Sequence, residues 1–197
     1  MRLYNILVVL TVAMVFAGAC TPGDAALSTP ASVNTGVLVD SPPYVCKLVP
    51  DQAFRLVSGV KGFLGEKTNG NEANGDCGIP GAIPKALDVA WMREAPESTR
   101  EYLDGVMDDR RKVFTRHGAA TLPAELGEGL AVHLAYAGVD EQPYQVVARF
   151  SCSGKQRIIT LYLAQVAQGR DGIRDMIELM RIAQKRYGQL YACTPGK

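Results

Sequence analysis

Few residues in this 197-residue chain stand at spacings that do chemistry. Ser58-Gly59-Val60-Lys61 has the Ser-x-x-Lys spacing in which a lysine amine can activate a serine hydroxyl for attack on an acyl group. The partner motifs of that reaction are missing and the chain is short for it, so both side chains are expected on a helix surface. Ser151-Cys152-Ser153-Gly154-Lys155 is similar to the end of a phosphate-binding loop, but it lacks the first glycine and the final Ser/Thr. It reads instead as a hairpin turn. Asn69 to Asp76 lines up side-chain oxygens as a calcium loop would. Ala73, however, falls on a ligand position and Pro80 replaces the closing glutamate. The only histidines are His117, expected at a helix C-terminus where a cation suits the dipole, and His133, expected on a solvated sheet face. Asp108-Asp109-Arg110-Arg111-Lys112 reads as a solvated helix face with local ion pairs. No catalytic residue and no cofactor-binding fingerprint emerges. The expectation is a chain that is not an enzyme.

The cysteines are more informative. Met1-Arg2 gives a cationic start, and Ile6 to Ala19 is an uncharged apolar run of fourteen residues ending in small side chains. As a helix it would reach ~21 Å, short of a ~30 Å hydrocarbon core, so it reads as a cleaved export signal. Ala17-Gly18-Ala19-Cys20 resembles a bacterial lipobox, with Ala17 where Leu is more usual. Residues 1–19 are thus expected to be a lipoprotein signal peptide, with Cys20 acylated after cleavage. Thr21 to Pro43 is rich in Thr, Pro, Ser, Ala and Gly and carries only Asp24 and Asp40 as charges. Such a segment has little to bury and should act as a flexible tether of roughly 25 Å. Residues 44–197 then form a single domain facing the extracytoplasmic side of a cell membrane.

Four cysteines follow Cys20, an even number that favours disulfides in an exported chain. Three pairings are open, and Cys46–Cys77 with Cys152–Cys193 is favoured. Zinc is disfavoured because there is no Cys-x-x-Cys pair and histidine is scarce. No metal is expected.

The elements that must position these residues follow from periodicity. A short helix is predicted from Pro50 to Val60, then loop over residues 65–84. Leu87, Val89 and Trp91 alternate as a strand. A helix over Glu97–Arg116 carries Tyr102, Leu103, Val106, Met107, Val113 and Phe114, with Ser98 or Thr99 as cap and Gly118 at its end. Leu130, Val132, Leu134 and Tyr136 share a strand face, as do Val146, Ala148, Phe150 and Cys152. Ser153-Gly154 turns the chain into a third strand bearing Ile159, Leu161 and Leu163, and short connections make the three an antiparallel meander. A last helix, Asp171 to Tyr191, buries Ile173, Met176, Ile177, Met180, Ala183, Tyr187 and Leu190. The fold class is α+β: an antiparallel sheet with helices packed on one face and two disulfides. Cys152 is in phase with Phe150, and Cys193 follows Leu190 by three, so a bridge between them would pin that helix to the sheet.

The order of these features resembles a family of small actinobacterial envelope lipoproteins known as a domain of unknown function. The resemblance rests on the lipobox, the tether, Cys46-Lys47-Leu48 before an apolar helix, Cys77 31 residues after Cys46, and a later cysteine pair. Gly78-Ile79-Pro80 after Cys77 departs from the aromatic often found there, and the helix at 97–116 is an apparent insertion. The resemblance implies no catalytic residues.

Charge is unevenly spread. Residues 20–148 hold 11 Lys/Arg against 17 Asp/Glu, a net of −6, and residues 149–197 hold 9 against 3, a net of +6. Arg174, Arg181 and Lys185 are candidate contacts for anionic headgroups or an acidic partner, although the basic end also offsets the acidic part of the same fold. Nucleic acid is not an expected partner of a neutral exported chain. The expected function is a membrane-anchored binding module for a small ligand or an envelope protein. Alternatives are an accessory regulator of envelope signalling or stress, and an enzyme without a recognisable motif. An aromatic groove between sheet and helices would mark a ligand site, and an exposed apolar patch would mark a protein partner. Convergent carboxylates or a nucleophile–base pair in a pocket would mark an enzyme.

Overall fold

Apolar alternation in two long strands builds the centre of the molecule. The computed structural model describes residues 36–138 and 141–196, so the signal, Cys20 and the tether up to residue 35 lie outside the described residues. The strands are β1 (Tyr44–Val45), β2 (Val49–Pro50), β3 (Lys67–Gly70), β4 (Asn74–Gly78), β5 (Leu87–Arg93), β6 (Ala120–Thr121), β7 (Glu128–His133), β8 (Tyr144–Cys152) and β9 (Lys155–Leu163). The helices are α1 (Asp51–Ser58), α2 (Arg100–Arg116) and α3 (Gly172–Leu190). β1 and β2 form a small hairpin. The other seven strands form one antiparallel sheet in the order β3-β4-β5-β9-β8-β7-β6. The expected meander is β7-β8-β9, with Ser153-Gly154 as the last turn, and the fold is α+β.

The helices, however, occupy both faces rather than one. Leu87 and Val89 of β5, Val146, Ala148 and Phe150 of β8, and Ile159, Leu161 and Leu163 of β9 pack against α1 and α3. On the opposite face Val132, Val147 and Ile158 pack against Leu103, Met107 and Phe114 of α2. The cause lies in β8 and β9. Val147 and Ile158 interrupt the alternation with apolar residues, and a strand that is apolar on both sides needs cover on both.

Helix ends follow the expected chemistry. Thr99 caps α2, its hydroxyl accepting from the Tyr102 N–H at 3.3 Å, and Asp171 caps α3, accepting from the Arg174 N–H at 3.1 Å. Gly59, left-handed at φ 71°, ends α1.

Residues 65–84, expected as loop, contain the β3–β4 hairpin. Neither strand is rich in β-branched residues, and β3 is exposed throughout. Pairing of β4 with β5, together with a covalent link, supplies what local propensity lacks. The link is Cys46–Cys77, and the second disulfide is Cys152–Cys193, with Cα–Cα distances of 5.5 and 5.6 Å. This is the favoured pairing. The residues just before Tyr44 already pack on the domain: Leu38 is buried, and Asp40 accepts hydrogen bonds from Tyr44 (2.9 Å) and Lys185 (2.7 Å). Among the described residues no helix is long and apolar enough to cross a membrane.

Candidate functional site

A groove of about 220 Å³ opens between the β3–β4–β5 end of the sheet and the C-terminal end of α3. Trp91 of β5 and Tyr187, Leu190 and Tyr191 of α3 and its cap form its apolar walls. Thr68 and Gly70 of β3, Asn71 and Glu72 of the hairpin tip, and Lys47 with the Cys46–Cys77 bridge complete the lining.

Each wall is held by local features. Trp91 lies across from Gly75, whose missing side chain makes room for the indole: a Cβ there would come within 2.6 Å of the ring. The indole N–H donates to the Asn71 carbonyl at 2.8 Å, which fixes the ring plane. Asn71 in turn shapes the hairpin tip, its side-chain oxygen accepting from the Ala73 and Asn74 N–H groups at 2.7 and 3.1 Å. On the other wall Tyr187 meets Phe150 edge-on at 5.6 Å and leans on Tyr191 at 4.4 Å. Cys193, two residues beyond Tyr191, is bonded to β8, so the helix end cannot drift from the sheet.

Two arginines lie near the groove's tyrosines but outside its lining. Arg93 and Arg157 are directly opposed across β5 and β9, on the α3 side of the sheet. Arg157 is 8% exposed. Its guanidinium donates to the Gln156 carbonyl at 2.9 Å and lies near Tyr187. Burial pushes the Tyr187 phenol pKa up, and the nearby charges of Arg157 and Arg93 partly offset that rise. Burial also raises Tyr191, with Glu72 adding to the rise and Arg93 opposing it. Both phenols stay neutral donors near pH 7.

The hairpin between β1 and β2 forms the rim. Cys46 and Lys47 sit in the left-handed region at φ 52° and 60°, which suits the tight turn but costs of order 1–2 kcal/mol per residue without glycine. The disulfide and a hydrogen bond from the Cys46 N–H to Glu66 at 2.5 Å hold that turn. Cys46, Glu66 and Cys77 bring metal-ligand atoms within 4.8 Å of one another, but both sulfurs are consumed by the bridge.

The residues singled out for chemistry are scattered. Ser58 is fully buried, not on a helix surface; its hydroxyl donates to the Phe54 carbonyl at 2.7 Å and accepts from the Val60 N–H at 3.2 Å. It closes the end of α1, while Lys61 lies past Gly59 and is exposed. His117 caps the C-terminus of α2, and His133 is exposed and stacked on Tyr144 at 4.4 Å. Asn69 to Asp76 spans the β3–β4 hairpin, with Asn69 donating to Asp76 at 3.1 Å. Within the acidic–basic run, Arg111 pairs with Asp108 and Lys112 with Asp109, whereas Arg110 lies over the rings of Phe114 and Tyr162.

The candidate basic contacts are partly engaged inside the fold. Arg181 pairs with Glu125 (2.8 Å) and Glu178 (3.0 Å), and Lys185 with Asp40 (2.7 Å). The basic end thus neutralises Glu125 and Asp40 from the other part of the chain, and Glu178 from its own. Arg174 is exposed.

Sequence reasoning placed Trp91 and Tyr187 on core-facing stripes but did not bring them together, because the groove depends on a hairpin that was not expected. Arg157 precedes Ile159, Leu161 and Leu163 at two-residue steps, so a cation stands in phase with the core, beside the groove and not in its lining. Comparison with family models, with curated proteins and with solved structures finds no match.

Proposed function

We propose that this chain is a non-catalytic binding module of the cell envelope, exported, acylated at Cys20 and tethered to a membrane on its extracytoplasmic side. The observation that carries the binding role is the groove itself. Three aromatic rings line it between sheet and helix, and two are held before any ligand arrives, Trp91 by its hydrogen bond to Asn71 and the buried Tyr187 by Phe150, while the more exposed Tyr191 leans on Tyr187. Rigid aromatic walls lose little entropy on binding, which is how a small pocket gains affinity. The serine and histidines with nucleophile or base chemistry lie elsewhere, in helix-end or surface positions. Export is supported by the apolar run before Cys20 and agrees with two disulfides, which persist in oxidising compartments. The layout that resembles actinobacterial envelope lipoproteins belongs to the same reading.

Two measurements test it. The full chain and its Trp91→Ala variant, purified from membranes, should differ in the small molecules they retain, read by mass spectrometry after denaturation. A species held by the parent and lost from the variant supports the groove as the site; equal retention, or none in either, overturns it. Cys20→Ala should abolish lipid labelling and membrane recovery, and a variant still labelled and membrane-bound would overturn the anchor.

A further inference from the structure

We infer that the end of the sheet bearing the loop residues Phe63, Ile83 and Tyr136 is a lipid-docking face, which seats these side chains in the interface of the bilayer that holds the Cys20 anchor. This rests on the membrane-anchored reading of the chain and names the surface that meets the membrane.

The first support is a set of exposed apolar side chains at one end of the fold. Phe63 and Tyr136 are each 95% exposed, and Ile83 is 75% exposed. They lie on three separate loops: between α1 and β3, after β7, and between β4 and β5. Strand register brings these loops to the same end. Lys67 pairs with Gly78, Gly78 with Asp88, Leu87 with Leu163, and Tyr144 with both Leu163 and His133. Contacts between the loops agree. The Gln142 side chain donates to the Lys85 carbonyl at 3.1 Å, and the Ala167 N–H donates to the Val57 carbonyl at 2.7 Å. Apolar side chains in water forgo the gain of burial, and several at one end mark a surface made to be covered.

The second support is where the anchored segment joins the domain. The Gly36 carbonyl accepts from the Arg170 guanidinium at 3.2 and 3.3 Å, and Arg170 belongs to the β9–α3 connection at this same end. Val37, 84% exposed, adds another apolar side chain beside that entry. Gly36 is sixteen positions after Cys20, a length that no chain can stretch beyond ~55 Å. An anchor joined to the domain here draws the loop end toward the bilayer. The groove lies at the other end, at the β3–β4 tip and the last turn of α3, and stays open.

The third support is composition and spacing, which favour lipid over protein. Residues 59–65 and 79–86 hold no Asp or Glu, and their only charges are Lys61 and Lys85. The exposed Arg174 borders Gly36 and Val37. Glu66, Glu141 and Asp171 at this end accept from the backbone N–H groups of Cys46, Gly138 and Arg174. Cations beside apolar tips suit anionic headgroups lying over hydrocarbon. Tyr136 joins an apolar ring to a hydroxyl, the pattern favoured where one end of a side chain is apolar and the other wet. From β3 to β7 the sheet takes five steps of ~4.8 Å, so the loops span roughly 24 Å. Single side chains spread that widely meet a flat fluid surface one at a time, whereas a protein partner needs a contiguous, closely packed patch.

The test uses the full chain in nanodiscs, one chain per disc, made with lipids brominated high in the acyl chains, the ~5–10 Å depth that interface-seated side chains reach. Phe63→Trp, Ile83→Trp and Tyr136→Trp each add a reporter. Trp91 is the internal reference, since it stands four residues along β5 from Leu87, ~14 Å in from that end. Relative to discs without bromine, each variant should lose most of the added emission, and the parent should lose almost none. With Phe63→Trp as reporter, Ile83→Asp and Tyr136→Asp together should restore most of the lost emission; urea unfolding checks each variant. Disc capture and the mass of the Cys20 peptide are read on the same samples. A chain that is neither acylated nor captured overturns the anchor and this inference together. An acylated, captured chain whose added tryptophans are not quenched overturns this inference alone. Quenching of Trp91 as strong as that of the loops overturns the choice of end. Quenching that appears only with two chains per disc assigns the loops to a second copy and overturns the lipid assignment.

Discussion

Reduction of the two disulfides should remove stability comparable to that of an entire small domain. Cys46–Cys77 closes a separation of 31 residues and Cys152–Cys193 one of 41. In the loop-entropy model these correspond to ~3.7 and ~3.9 kcal/mol at 25 °C. The two closed segments do not overlap in sequence, so their effects on the unfolded chain are close to independent, for a sum of about 7–8 kcal/mol. Typical domains have only about 5–15 kcal/mol in total. The reduced chain should therefore sit near its unfolding threshold in water. The assay is urea unfolding of oxidised and reduced protein, followed through Trp91, the only tryptophan. Its emission reports the groove directly. Non-reducing peptide mapping of the same samples should link Cys46 to Cys77 and Cys152 to Cys193. A reduced chain within about 2 kcal/mol of the oxidised one would refute the loop-entropy reasoning, and a crossed map would refute the structural assignment behind it.

Gly75→Ala should cost about 1–3 kcal/mol and shift Trp91 emission to the red, because the new Cβ overlaps the indole and the Asn69 carbonyl (2.6 and 2.5 Å); unfolding and emission spectra check it. Arg174→Glu, Arg181→Glu and Lys185→Glu together should lower the melting temperature, since Arg181 and Lys185 face Glu125, Glu178 and Asp40, and the loss should shrink at high salt. If the same triple variant also loses recovery on anionic liposomes at low salt, the basic face has a partner in addition to this internal role. For Asp40, partial burial raises the pKa, but hydrogen bonds from Lys185 and Tyr44 and the charges of Lys185 and Arg186 outweigh it and hold the carboxyl below its ordinary value. A depressed folded pKa means its contribution is present above the ordinary carboxylate range and lost as pH falls through the folded value, so Asp40→Asn should flatten the acid limb of a stability–pH profile.

What could be read from the sequence was whatever depends on neighbours along the chain. The meander β7–β8–β9, the capped helix α2 and the buried stripe of α3 each follow from periodicity and short turns, and all three are present. Even the bridge from Cys152 to Cys193 could be read, because each cysteine continues a core phase. Legibility ended where distant segments meet. β5 pairs with β9 across more than sixty intervening residues, so nothing local announces that Arg93 will face Arg157. The β3–β4 hairpin is written in Asn, Gly and Asp, residues that read as loop, and becomes sheet through β5 and the Cys46–Cys77 bridge. Two-sided cover was legible in principle, since Val146-Val147-Ala148 and Ile158-Ile159 are apolar runs rather than alternations. Ser58 shows the opposite error: helical position alone placed it outside, whereas its hydroxyl closes the end of α1 in the core.

The placement of the bridges explains why a groove can exist at the weakest part of the sheet. β3 exposes all four of its residues and buries no apolar side chain, so its hairpin contributes little hydrophobic stabilisation of its own. Hairpins of that kind open locally at low cost. Here Cys77 ties β4 to the Cys46 turn, and the Trp91–Asn71 hydrogen bond ties the tip to β5. The opposite wall is fastened separately, by Cys193 just past Tyr191. The two walls of the groove are thus stapled by different disulfides, and each staple should control its own wall. Replacing Cys46 and Cys77 by Ala should speed amide exchange at residues 67–74 well before it affects β8 and β9, which are buried on both faces. Replacing Cys152 and Cys193 should instead loosen the last turn of α3, around Tyr187 to Tyr191, and leave the hairpin protected. Hydrogen exchange resolved by peptide separates these patterns. If either pair of substitutions raised exchange equally in both walls, the groove would be one cooperative unit, and the disulfides would act only through global stability.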